Sequence, residues 1–166
     1  VPHWAKDEKV GYKMINARAE TLFTKPAYKA AAKRHRCLIP ASCFFEWKRT
    51  GVKKKQPYCI RPKDKGLFAF AGLWEHWEDQ EAGKKIDSCT IVTTWANEAV
   101  AELHDRMPVI IGKADFDLWL DRSVEDPEKL QPLLTPISSQ EVEIYPVGLE
   151  VNSPRNDSEE VIRKVG

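Results

Sequence analysis

No run of apolar residues in this 166-residue chain approaches the roughly 20 that a membrane-crossing helix needs. The opening Val1-Pro2-His3-Trp4-Ala5-Lys6-Asp7 lacks the apolar stretch of a secretory signal, so no membrane partner is expected. None of Cys37, Cys43, Cys59 and Cys89 forms a C-x-x-C pair, and no His stands at zinc-ligand spacing from two of them. A zinc site therefore has no support in the sequence, and neither a metal nor a cofactor is expected. The same spacing argues against a disulfide framework. Four reduced core thiols are expected, with Cys59 and Cys89 in apolar, strand-like runs. There is no internal repeat, low-complexity tract or long linker, so residues 1–166 are expected to form a single domain. Position 1 is Val and not Met, and processing or truncation of a leading segment is expected.

What is present suits a globular chain with a core of its own. The net charge of +1 hides an asymmetry. Residues 1–66 hold 17 Lys or Arg against 5 Asp or Glu, a balance of +12, and residues 67–166 hold 9 against 20, a balance of −11. The basic residues gather at Lys25, Lys29, Lys33, Arg34 and Arg36, then at Lys48, Arg49, Lys53, Lys54 and Lys55. Such a surface attracts phosphate backbones, and counterion release supplies affinity. A solvated helix face and a lysine-rich hairpin tip would read the same way.

Pro26 to His35 has the composition of a short helix with Pro at its start. Cys37 to Ile39 is an apolar run stopped by Pro40, and Phe44 to Trp47 is aromatic and β-prone. Lys48 to Gln56 reads as a hairpin loop. Tyr58 to Arg61, Phe68 to Trp74, Ser88 to Thr94, Val109 to Ile111 and Glu143 to Val147 read as strands, with a polar turn over residues 79–87. Helices are expected over Trp95 to Leu103, over Lys113 to Leu120, and from Asp126-Pro127 to about Leu134. This pattern predicts an α+β fold with a mostly antiparallel, barrel-like sheet core and short flanking helices.

Three polar segments stand out. Asn16-Ala17-Arg18-Ala19-Glu20-Thr21 offers an amide and a planar guanidinium fork suited to phosphate, or else a turn with a surface ion pair. Glu46, between Phe45 and Trp47, would have its ionised form disfavoured if buried among aromatics, as a general acid does. In an alternating strand it would instead face water. His104-Asp105-Arg106 combines a proton-transfer group with a phosphate-binding one, or forms an ordinary helix terminus. His3, His35 and His76 are given no catalytic role.

Three further segments complete a pattern. Arg36-Cys37-Leu38-Ile39-Pro40-Ala41 leads to Phe45-Glu46-Trp47. Ala71-Gly72-Leu73-Trp74-Glu75 and Thr93-Thr94 with Ala96-Asn97 precede His104-Asp105-Arg106-Met107-Pro108-Val109. With the tail Val151-Asn152-Ser153-Pro154 and Asn156-Asp157, these motifs cover nearly the whole chain, in order. Together they resemble the SOS response-associated peptidase family. The resemblance implies binding of single-stranded DNA and a covalent crosslink to the ring-opened aldehyde of an abasic site. It implies a nucleophile that is a cysteine exposed at the amino terminus by autocatalytic removal of the initiator Met. Its amine forms a Schiff base, and its thiol closes a thiazolidine. Asn16 resembles the asparagine that positions that cysteine and the sugar. Glu46 resembles the acid that assists proton transfer near the amine, and His104 the histidine that helps open the sugar ring. Arg18, Thr93 and Arg106 resemble DNA-backbone contacts, and Pro40 and Trp4 could wall the site or stack on a base. A monomer is implied, cytoplasmic and nucleoid-associated in a bacterium or nuclear in a eukaryote.

The chain departs from the family pattern at its start. Members open Met-Cys-Gly-Arg, whereas Val1-Pro2-His3-Trp4 resembles a segment placed several tens of residues further in. The catalytic cysteine is therefore expected in a leading segment absent from this numbering. None of the four cysteines matches it, and Cys43 stands where many relatives carry glycine. Two other readings stay open. One is a non-covalent reader of damaged or modified DNA, and the other is a peptidase acting in trans.

Overall fold

A computed structural model describes residues 1–49, 51, 55–79 and 81–166. Two compact units are present. The first comprises Val1–Ile39, Ala69–Thr94 and Pro108–Pro136, and the second Pro40–Phe68, Trp95–Met107 and Ile137–Gly166. In chain order the regular elements are β1 (Asn16–Arg18), α1 (Lys29–Arg34), β2 (Arg36–Ala41), β3 (Phe44–Arg49), β4 (Lys55–Pro62), β5 (Phe68–Asp79), β6 (Lys84–Trp95), α2 (Glu98–Ala101), β7 (Arg106–Pro108), α3 (Phe116–Leu120), α4 (Pro127–Leu130) and β8 (Val142–Pro146).

Most of the five-stranded sheet lies in the first unit, with strand order β1-β6-β5-β2 and β7 against β6. Its backbone is the β5–β6 hairpin, antiparallel from Gly72↔Ile91 to Asp79↔Lys84. The polar turn is shorter than the expected residues 79–87, because cross-strand pairs carry the ladder outward. His76 Nδ1 lies 2.7 Å from Asp87 Oδ1, and Lys85 Nζ 3.3 Å from Glu78 Oε1. Gly83 takes a left-handed φ of 66° at the tip; Gln80, within the expected turn, lies outside the described residues. Gly72 answers a different need. A Cβ there would stand 2.8 Å from both Cys37 Sγ and Ile39 Cδ1, so glycine lets β2 approach β5 closely.

The core of this unit joins Ala17, Leu22, Ala32, Leu73, Val92 and Trp119, among others. Arg36 belongs to it. Although it reads as part of a basic surface, its guanidinium is buried and donates to the carbonyls of Trp119 (2.6 Å), Ala32 (2.8 Å) and Val124 (3.0 Å), and to those of Lys33 and Asp121. These orphan carbonyls at α1 and after α3 are satisfied by one side chain with five donors. Arg36 is therefore structural. Cys89 also differs from expectation: alternation along β6 turns it outward, so it is exposed, whereas Cys59 is fully buried.

The second unit holds the sheet β3-β4-β8. Strands β3 and β4 pair antiparallel from Phe44↔Ile60 to Arg49↔Lys55, and β4 pairs with β8 from Tyr58↔Pro146 to Pro62↔Val142. Lys48, Arg49, Lys55 and Gln56 of the expected Lys48–Gln56 loop are thus strand; Thr50 and Val52–Lys54 lie outside the described residues. Helix α2 is shorter than the expected Trp95–Leu103, starting only after Asn97. The Asn97 Oδ1 accepts from Val100 N at 2.9 Å, and its amide donates to Ile137 O at 2.9 Å.

The α+β class and the mostly antiparallel pairing match the sequence pattern; β1 against β6 is parallel. The barrel-like closure does not form. Strands β1 and β2 end the five-stranded path without pairing to each other, and β3 and β8 flank β4 alone. A barrel would need every edge joined with a consistent stagger. Both sheets are open instead.

Candidate functional site

Two groups of polar residues are assembled by local strand geometry. In the first unit, β1 buries Ala17 and leaves Asn16 and Arg18 exposed on the opposite face. Parallel pairing sets Asn16 beside Ile91 and Arg18 beside Thr93. The strand is fixed by three bonds: Thr93 Oγ1 donates to Ala17 O at 3.4 Å, Thr90 Oγ1 to Met14 O at 2.8 Å, and the Tyr28 hydroxyl to Asn16 O at 3.1 Å. Asn16, Arg18 and Thr93 thus share one face. An amide, a guanidinium and a hydroxyl side by side make a surface with the donors a phosphate or sugar accepts.

In the second unit the alternation of β3 separates two faces. Phe45 packs on the core of Cys59, Tyr145 and Val147. On the other face Lys48 Nζ lies 3.5 Å from Glu102 Oε2, so the segment after α2 lies over this side. Glu46 shares that face and is half-buried rather than turned to water. Burial pushes its carboxyl above the usual range; nearby His104 pulls it partly back, and Asp105 adds to the rise. Glu46 and His104, 58 positions apart in sequence, therefore act on each other electrostatically. A carboxyl whose proton burial makes harder to lose, beside an imidazole, is suited to acid–base work.

His104 sits just past α2, its backbone N–H donating to Val100 O at 3.0 Å. Its Nδ1 lies 3.0 Å from the backbone N of Arg106 and 3.2 Å from Asp105 Oδ1. Sequence reasoning passed over Trp95, which is 59% exposed and carries the Arg106 guanidinium 5.0 Å from its ring centre. The only signal was an aromatic placed between a strand and a helix cap. An exposed indole with a cation over its face is a platform on which a base can stack.

The remaining candidates stand separately. Pro40 is exposed on β2, and Trp4 is 51% exposed in the opening turn. Lys25, Lys29, Lys33 and Arg34 are exposed, with Arg34 and Lys33 paired to Glu125 at 2.6 and 3.8 Å. Lys53 and Lys54 lie outside the described residues. Among the described residues no three His, Cys, Asp or Glu side chains form a group that could hold a metal ion. No helix among them is long and apolar enough to cross a membrane.

Residues 1–154 match the family described as SOS response associated peptidase (SRAP). The chain belongs to this family. Among similar SRAP sequences is the abasic site processing protein YoqW of Bacillus subtilis (strain 168), 50% identical over 162 residues that make up 98% of this chain and 72% of YoqW. The abasic site processing protein HMCES of Gallus gallus is 32% identical, over 98% of this chain and 54% of its own. A crystal structure of a protein from Bacteroides thetaiotaomicron matches with a TM-score of 0.90 at 27% identity, covering 99% of this chain and 73% of that one. A second, from Bordetella bronchiseptica, gives 0.75 at 26% identity over 90% and 74% of the two chains. The SRAP assignment therefore rests on the whole length of the chain, as the ordered motifs imply.

Proposed function

We propose that this SRAP protein processes abasic sites by binding single-stranded DNA and capturing the ring-opened sugar aldehyde covalently. The amine of an amino-terminal cysteine forms a Schiff base, and the thiol then adds to the imine carbon to close a thiazolidine. None of Cys37, Cys43, Cys59 and Cys89 is assigned this role, because none stands in the family's amino-terminal motif. The observation that carries the reading is the half-buried Glu46, its carboxyl pushed upward by burial, under the influence of His104. Glu46 assists proton transfer at the amine and the autocatalytic removal of Met, and His104 delivers a proton as the sugar ring opens. Arg18, Thr93 and Arg106 hold the DNA backbone, and Trp95 stacks on a base; Asn16 positions the cysteine and the sugar. Pro40 and Trp4 serve as further base contacts. The names of the relatives and their identity along the whole chain support abasic DNA as the substrate.

The test is an abasic single-stranded oligonucleotide incubated with the full-length protein. A heat-stable adduct is expected, and a form whose amino terminus is blocked by an unremoved Met should give none. An equal yield of adduct from the blocked form would refute the mechanism.

The exposed Trp95–Arg106 stack also favours a second reading, a non-covalent reader of damaged DNA. The two separate on His104→Ala, which slows capture alone under the first reading. A peptidase acting in trans would reveal itself by turnover of an unrelated peptide, lost in Glu46→Gln.

A further inference from the structure

Two thiols of the second unit lie together, away from any role in the proposed DNA chemistry. In the β3–β4 ladder Phe45 stands directly opposite Cys59. Cys43, two residues earlier, is on the same face as Phe45, and both pack against the cluster of Cys59, Tyr145 and Val147. Cys43 and Cys59 are thus diagonal neighbours, close enough for their thiols to act on each other's titration. Their exposures differ. Cys59 is fully buried, whereas Cys43 is half-exposed at the entry to β3. We propose that Cys43 is a peroxide-reactive thiol and that Cys59 resolves its oxidised form into a Cys43–Cys59 disulfide.

The chemistry around the pair suits this division of labour. The Cys59 thiol, assisted by Ser42 and the Arg61 guanidinium against the effect of burial, holds the Cys43 thiol down at about 7. The Cys43 thiol, together with burial, pushes Cys59 up. Cys43 is thus more readily ionised than an ordinary thiol, and thiolate is the nucleophile. By contrast burial, with Cys89 nearby, pushes Cys37 up to about 11. A low-lying, accessible thiol beside a resolving thiol is the arrangement found in redox-sensing cysteines.

The step balances with an alkyl or hydrogen peroxide as oxidant. The Cys43 thiolate attacks one peroxide oxygen, an S–O bond forms as the O–O bond breaks, and the leaving alkoxide or hydroxide takes a proton. Cys59 sulfur then attacks the sulfenic sulfur of Cys43. The S–S bond forms, the S–O bond breaks, and the departing hydroxide leaves as water with the Cys59 proton. Two thiols lose two electrons, and one peroxide is reduced. Diagonal partners have Cα atoms roughly 7–8 Å apart, and a disulfide favours about 4.4–6.8 Å. Closure therefore draws the residues together by about an ångström. Cys43 precedes the first ladder pair of β3, so that movement breaks no β3–β4 pair.

The test is mass spectrometry of the purified protein treated with a small excess of hydrogen peroxide and digested without reduction. A peptide pair joined through Cys43 and Cys59 is expected, about 2 Da lighter than the sum of its thiol forms. In Cys59→Ser, a dimedone adduct should accumulate on Cys43. Before oxidation, iodoacetamide at neutral pH should modify Cys43 at least about tenfold faster than Cys37. The wild-type peptide pair decides the matter even if Cys59→Ser does not fold. Linkage of other cysteines instead, or Cys43 recovered unlinked after treatment, would overturn the inference.

Discussion

The imidazole of His104 receives the backbone N–H of Arg106 on its Nδ1, at 3.0 Å. A nitrogen that accepts a hydrogen bond carries no proton, so the neutral ring holds its proton on Nε2. The same Nδ1 stands 3.2 Å from Asp105 Oδ1 and 3.3 Å from Arg106 O, acceptors it can serve only with a proton of its own. A proton on Nδ1 therefore exchanges a backbone donor for a carboxylate or carbonyl acceptor. A nitrogen-15 long-range correlation spectrum of the neutral ring should show His104 as the Nε2–H form. The Nδ1–H form would contradict this geometry.

Glu46 gives a pH dependence of known sign. Burial raises its carboxyl in the folded protein, so the folded state holds the proton more tightly than the unfolded chain does. The contribution to stability is full below the ordinary Glu value, about 4.3, and is lost as pH rises through the raised folded value. Glu46→Gln removes a carboxyl whose ionised form burial disfavours. It should raise the unfolding temperature at about pH 7 and change it little at about pH 4, below the usual range. Thermal unfolding at the two pH values checks this, and an equal loss at both would contradict it.

Arg36 should matter to stability and not to DNA. Five carbonyls depend on its buried guanidinium, and Arg36→Ala leaves them without a donor. Loss of about 3 kcal/mol or more is expected in denaturant unfolding. The salt dependence of DNA binding by the folded fraction should keep the wild-type slope.

Arg18 and Trp95 should fail in different ways. If Arg18 holds the DNA backbone as proposed, Arg18→Gln removes one phosphate contact, and the slope of log affinity against log salt for single strands should fall by about 0.7. Trp95→Ala removes a stacking surface and should cost about 1–3 kcal/mol of affinity with the slope unchanged. Titrations of one oligonucleotide at several salt concentrations separate the two effects.

Most of the strands are legible in the sequence as short apolar, aromatic or β-branched runs bounded by polar turns, as in Phe68 to Trp74 and Ser88 to Thr94. It does not reveal β1, three residues with no apolar alternation, whose strand exists through pairing with β6. Nor does composition distinguish Arg36 from the exposed Lys33 and Arg34, since only the folded chain gathers carbonyls around it. The hairpin β5–β6 outruns its apolar stretch because charged cross-strand pairs continue it. At the candidate site His104-Asp105-Arg106 is legible as a local cluster. The proximity of Glu46 to His104 is a long-range fact that pattern alone does not carry, and Trp95 looked like part of a helix.

Capture kinetics of His104→Ala on an abasic single-stranded oligonucleotide, measured beside its affinity for the same strand, test the proton-transfer role of the Glu46–His104 pair most directly. Covalent capture should slow about a hundredfold or more, the loss typical of a missing general acid, while affinity stays close to wild type. Capture at the wild-type rate, or a loss of affinity that accounts for the whole defect, would contradict it.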